Sequence, residues 1–156
     1  MADIESRLGE LGLILPTAPT PAGSYVPAIR TGSYVYTAGQ LPFVDGQLPA
    51  TGKVGEHHDL IEPAAAQAMA ATCVLNALAA ARSVLGSLDD VVRVVKVTGF
   101  VASHPDFTGQ PGVLNGASEL LGEIFGEAGR HARSAVGVAV LPLDSPVEVE
   151  LVLEVA

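Results

Sequence analysis

The chain has 156 residues, long enough for one domain around a single core. Its formal net charge of −9, with no cluster of Lys or Arg, excludes nucleic acid as the expected partner. With 49% hydrophobic and only 16% charged residues, against roughly 25% charged in an average globular protein, the chain has too little charge to cover a monomer's surface; a homo-oligomer, a closed ring or a dimer, is expected.

Residues 3–12 set Ile4, Leu8 and Leu11 at helical spacing behind an Asp3 cap, which predicts a short helix ended by Gly12. Residues 15–23 hold three prolines and read as an extended arm. Residues 24–30 lead through the Thr31-Gly32 turn into a strand over 33–42, where Gly39 marks a bulge or a place where another group nears the backbone. Asp45-Gly46 is a further turn, and residues 51–55 are loop-like.

The clearest helix runs from Glu62-Pro63 to Leu85-Gly86, with Pro63 in its first turn. Ala71, Val74, Leu75, Leu78 and Leu85 share one face, and only Gln67, Thr72 and Asn76 are left to wet the other. Cys73 lies in this run as buried filler, since a lone cysteine has no partner for an intrachain disulfide. After Asp89 and Asp90, the β-branched run 91–101 predicts a central strand. Residues 103–112 form a loop, and a second helix is expected from about Val113 to Ala128, with Leu114, Leu121 and Phe125 inward and Gly129 as its stop.

The C-terminal third reads as a hairpin: residues 130–134 place a cationic pair at the mouth of a strand that runs through Ala135 to Leu141, a turn follows at 142–146, and the chain returns from Val147. Its last strand alternates, Val147, Val149, Leu151, Leu153 and Val155 on one face and Glu148, Glu150 and Glu154 on the other. The order implies an α+β fold, a mixed sheet covered by helices on one side with the other face partly apolar. No run approaches about 18 consecutive apolar residues, so no membrane span is expected. Residues 1–7 are acidic and lack a basic stretch before an apolar one, so no secretory signal is expected and the location should be cytoplasmic.

His57 and His58 are adjacent and point differently, while His104 and His131 stand alone, so no metal-ligand set is expected. Arg133 stands where a strand begins, and its planar fork suits a carboxylate; the plainer reading is a surface or interface ion pair, with Glu148 one possible partner.

Gly23-Ser24-Tyr25-Val26-Pro27, Thr37-Ala38-Gly39-Gln40-Leu41-Pro42, the Ala-rich helix, the run 92–101, Asn115, Ala132-Arg133-Ser134-Ala135-Val136-Gly137-Val138, Leu141-Pro142 and Val147-Glu148-Val149-Glu150 occur in one order. This combination, from residue 23 to the C-terminus, resembles the RidA (reactive intermediate deaminase, YjgF-like) family. The resemblance implies one chorismate-mutase-like domain over residues 1–156, assembled as a homotrimer with a central β-barrel and clefts between subunits. It implies hydrolysis of 2-enamine and 2-imine acids to 2-oxo acids and ammonia, with neither metal nor cofactor.

By position, Arg133 resembles the arginine that docks the substrate carboxylate and Glu148 the carboxylate that handles the attacking water. Tyr25 resembles the cleft tyrosine, Gly39 the residue whose backbone faces the substrate, and Asn115 an interface polar residue. Ala38 stands where many relatives carry Ser and Ala135, on the substrate side, where many carry Cys. His131 has no counterpart in the resemblance and is a possible extra group beside Arg133. These departures imply a divergent branch whose substrate need not be 2-aminoacrylate. A binding module for a small carboxylate is the alternative reading, and a ribonuclease is the one the acidic charge favours least.

Overall fold

The computed structural model describes residues 3–18, 20–21 and 23–156; Pro19 and Ala22 of the proline-rich arm lie outside the described residues. Helix α1, Ile4–Glu10, begins where Asp3 accepts a hydrogen bond from the Ser6 amide and buries Ile4 and Leu8. Its Glu5 carboxylate accepts from Arg82 Nη1 at 3.2 Å and from the Leu88 amide at 3.0 Å, while Arg7 Nε donates to Glu123 O at 3.0 Å. These bonds seat α1 against the far ends of both long helices.

Strands β1, Ala28–Thr31, and β2, Tyr34–Thr37, form a tight hairpin over Gly32, whose φ of 56° suits a residue without Cβ. Helix α2, Pro63–Leu85, starts with Pro63 in its first turn and ends at Gly86, with φ of 84°. Strand β3, Val91–Ala102, is followed by α3, Gln110–Phe125, then β4, Ala132–Val138, and β5, Val147–Val155. The sheet order is β1-β2-β5-β3-β4, antiparallel throughout except for the β3–β4 pair. The parallel pair follows from its connection, since α3 carries the chain back along the sheet before β4 begins.

The expected C-terminal hairpin does not form. Although β4 and β5 are consecutive, β3 lies between them and pairs with both. The longest apolar strand takes a neighbour on each edge, and residues 139–146 carry the chain around its end, where the Ser103 amide bonds Val138 O and the Ala102 amide bonds Pro146 O. Leu143 and Asp144, with φ of 58° and 56°, make the reversal. An eight-residue connection between extended segments does not reveal which strand is inserted between them.

Three smaller differences each have a physical cause. Helix α3 starts at Gln110, not Val113, because Pro111 fits the first turn as Pro63 does in α2, and Gly126 rather than Gly129 ends it. Asn76, expected on a wet face, is 5% exposed and donates to Leu41 O and Phe43 O at 2.9 and 3.1 Å, pinning the loop after β2. Val74 and Leu78 are buried as expected, but Ala71 is only half-buried, and the packed side of α2 is completed by Ala66, Ala70, Cys73 and Ala77. With mean hydropathy of 1.5 over one window, α2 is long and apolar enough to cross a bilayer, yet here it packs on α3 and β5.

One face of the sheet carries α2 and α3. There the inward residues of β5 meet Val35, Val94, Val97 and Val101. The opposite face presents Tyr36 and Val136, 45% and 44% exposed, beside Val152, Phe100 and the glutamates of β5.

The two main helices touch at Gly116, where an added Cβ would strike Gln67 O, whereas Gly122 on the same helix faces open space. Gly116→Ala should therefore cost about 1–3 kcal/mol through overpacking, while Gly122→Ala should add about 0.5–1 kcal/mol through helix propensity. Urea unfolding of the two variants reads both; shifts of the same sign would contradict this packing.

Candidate functional site

Two groups of side chains emerge, on opposite faces of the sheet. The alternation that buries Val147 and Val149 turns Glu148 to the open face, opposite Phe100 on β3 and two residues from Glu150. Burial first, and the Glu150 charge second, push the Glu148 carboxyl above its usual range. It lines a cavity of about 370 Å³ with Tyr25, Gly39, Leu41 and Leu143. Thr20 and Pro21 of the arm reach this cavity.

Gly39 sits where both of its sequence readings meet. Tyr36 pairs with Val152 and Gln40 bridges Val149, so three residues on one side face two on the other, which is a bulge. Thr37 Oγ1 accepts from the Leu151 amide at 3.0 Å across this interruption. A Cβ on Gly39 would run into the Glu148 carboxylate, so only glycine allows that carboxylate its place. Behind this wall Cys73 is fully buried, its thiol pushed well up by burial first and Glu148 second, as suits inert filler.

The second group lies on the helix-covered face. Arg133 pairs with Val97 in register, and its Nη1 donates to Asn115 Oδ1 at 2.9 Å and to Ser118 Oγ at 3.1 Å. Asn115 and Ser118 are three apart on α3 and therefore share a face. Nε and Nη2 remain for another acceptor, and among the described residues the ion pairs engage Arg7, Lys53, Arg82 and Arg130 but not Arg133. Ala135, next along this face, pairs with Gly99 and packs against the core. His131 Nδ1 lies 3.1 Å from Ala132 O; burial first, and the Arg133 charge as well, hold its imidazole below the usual value, with the Ala132 carbonyl opposing.

Tyr25, Gly39 and Glu148 are thus brought together, and so are Arg133, Asn115, Ala135 and His131, but β3 separates the two groups. An Arg133–Glu148 bridge within one chain is not formed.

Two features escaped the sequence. Ser118, the second brace on Arg133, had no motif to mark it, although its spacing from Asn115 was a usable signal. Contrary to the expectation that no histidines gather, His57 and His104 meet at Asp106: His57 Nε2 bonds Oδ2, and His104 Nδ1 lies 2.6 Å from Oδ1. The hydrogen bond from His57, then that from His104, holds the Asp106 carboxyl below its usual range. His57 and His104 are far apart in the chain, beyond any local spacing rule.

A mixed sheet with two helices on one face, a carboxylate cavity and a braced arginine define a YjgF/chorismate-mutase-like α+β protein. Residues 5–155 match the family described as "YjgF/chorismate_mutase-like, putative endoribonuclease", and the chain belongs to that family. It is 43% identical to Protein TCP17 of Trypanosoma cruzi over 97% of this chain and 93% of that one. The 2-iminobutanoate/2-iminopropanoate deaminase of Dermatophagoides farinae is 30% identical, covering 88% of this chain and 91% of its own. The crystal structure of Atu1372 from Agrobacterium tumefaciens superposes with a TM-score of 0.87 at 43% identity, covering 98% of this chain and 92% of that chain.

Because the Glu148 carboxyl titrates above its usual range, the folded state holds that proton more tightly than the unfolded chain. The group's contribution to stability is therefore complete below the unfolded value and is lost as pH rises through the folded one. Glu148→Gln should gain stability relative to the parent as pH rises from the unfolded carboxyl value, about 4, through the raised folded one, and Glu150→Gln should lower the Glu148 value. Urea midpoints across pH and carboxyl 13C titration read these effects; parallel stability curves would contradict the assignment.

Proposed function

We propose that this chain hydrolyses 2-enamine and 2-imine acids to 2-oxo acids and ammonia in clefts built between the subunits of a homotrimer. The observation that carries the reading is the braced Arg133, with three N–H groups left over and no carboxylate paired to it among the described residues. A guanidinium held this way is ready for a small carboxylate. The deaminase among the relatives supports the substrate class. The open sheet face with Tyr36, Phe100 and Val136 supports an assembly that closes a barrel and brings Arg133 of one chain to Glu148 of the next.

In this cleft Arg133 holds the substrate carboxylate, with Asn115 keeping the guanidinium in place and Ala135 as an apolar wall. Glu148, protonated, gives its proton to C3 of the enamine and leaves an iminium. Water adds to C2 as its proton passes to Glu148, and the same proton then moves to the nitrogen. The C2–N bond breaks, ammonia departs, and the hydroxyl proton returns to Glu148 as the 2-oxo acid forms. A carboxyl with a raised pKa suits this exchange. Tyr25 and the Gly39 backbone face the same space and orient the water. Such alignment is worth up to about 7–11 kcal/mol in ideal cases, far more than an easily hydrolysed imine requires.

Arg133→Ala should lower kcat/KM by roughly 30- to 1,000-fold, from about 2–4 kcal/mol of lost charge-assisted binding. The assay is 2-oxo acid release from imines generated by an amino-acid oxidase, and full activity in that variant would sink the reading. If the cleft is shared, co-assembled Arg133→Ala and Glu148→Gln chains should recover about a quarter of the clefts by random assortment; no recovery would place both groups elsewhere.

Ala38 and Ala135, which lack the hydroxyl and thiol of many relatives, favour a second reading: a module that binds a small carboxylate without turnover. A 2-oxo acid at 100 times its dissociation constant should then stabilise the fold by about 2.7 kcal/mol, with no hydrolysis. The net charge of −9 leaves endoribonuclease activity the least supported.

A further inference from the structure

Away from both residue groups, the chain builds a second chemical centre. The segment after Val54 runs beside the end of β3: Val54 bridges Ser103, the Val54 amide donates to Ala102 O at 2.7 Å, and the His104 amide donates to Val54 O at 2.9 Å. This pairing sets His57 on one loop across from His104 on the other. Each loop is also closed on itself, by Leu60 N to His57 O at 3.3 Å and by Phe107 N to His104 O at 2.9 Å. Gly55 lets the loops close up, since a Cβ there would lie 3.2 Å from His104 Cβ.

The result is two imidazole nitrogens and a carboxylate whose ligand atoms all lie within 4.8 Å of one another, with ring centroids 4.9 Å apart. Three donors of a tetrahedral zinc site lie roughly 3.3 Å apart, given metal–ligand distances near 2.0–2.2 Å. Small side-chain rotations would bring the donors onto such an ion. We propose that His57 Nε2, His104 Nδ1 and Asp106 bind a divalent transition-metal ion of the zinc, cobalt or nickel kind.

Donor chemistry selects this class. Two imidazoles and one carboxylate suit borderline cations, whereas magnesium and calcium require mostly oxygen ligands. The side chains of His57 and Asp106 are 58% and 57% exposed, so an ion could enter, and its remaining position would hold water. Glu56 and Phe107 line the adjoining hollow.

The position indicates a structural clip. Residues 55–62 lead into α2, and residues 104–109 lead into α3. The helices already meet at their starts through Gln67 Nε2, which donates to Gly112 O at 2.9 Å. An ion tying the two entry loops would brace that junction, and it takes no part in the steps proposed at Arg133 and Glu148.

The test uses untagged, chelator-treated protein titrated with zinc chloride and, separately, cobalt chloride. One ion per chain should bind with micromolar or tighter affinity, cobalt should give visible bands of a low-symmetry nitrogen–oxygen site, and magnesium chloride should not compete. His104→Ala and Asp106→Asn should each weaken zinc binding at least tenfold. In the parent protein, zinc should slow amide exchange at residues 56–60 and 104–109. No binding at 100 µM zinc, unchanged affinity in both variants, or protection confined to other segments would each overturn the site.

Discussion

The period-2 alternation of β5, inserted between β2 and β3, governs the arrangement of the rest. Five of its residues, from Val147 to Val155, lie on the helix-covered face and are nearly or fully buried. Each fully buried aliphatic side chain is worth about 1.5–3 kcal/mol. A slip of one residue would exchange that face for the glutamates, so the core holds the register and, with it, the direction of Glu148. The bulge at Gly39 and the absence of a Cβ there are consequences on the neighbouring chain, since the carboxylate occupies the space a side chain would need.

Within one chain, the same constraint keeps the Glu148 carboxyl and the Arg133 guanidinium apart. Paired with Arg133 of the same chain, Glu148 would have its carboxyl drawn below the ordinary range. Set across β3 instead, it keeps a raised value from burial and Glu150, while Arg133 is satisfied on one edge by two neutral groups. Neutral braces fix the guanidinium without cancelling its charge.

Periodic and terminal signals made much of this legible beforehand. The limits of α2 followed from Pro63 and Gly86, α1 from Asp3, and the inward face of β5 from strict alternation. What failed was of another kind. The order of β3, β4 and β5 is a choice among pairings far apart in the chain, and nothing local in residues 139–146 decides it. Asn76 looked like a solvent residue because the carbonyls of Leu41 and Phe43, which it satisfies, come from a distant loop. Gly39 was marked by its place in a strand, but Tyr25 and a cleft role for Glu148 could be named only through resemblance, and the meeting of His57 with His104 depends on the Val54–Ser103 bridge.

Charge makes the last connection between site and fold. In a chain with net charge −9, any anionic ligand would approach against the overall field, so local placement of cations outweighs their number. The described ion pairs occupy Arg7, Lys53, Arg82 and Arg130 at the rims of helices and loops. Arg30, although not ion-paired there, donates to Ala156 O and Gly32 O. Arg93 and Lys96 also stay out of these pairs, but on β3 neither is held by a side-chain hydrogen bond among the described residues. Among the described residues, Arg133 alone combines an uncommitted charge with a side-chain scaffold that holds the fork in one orientation, the combination that suits a planar carboxylate.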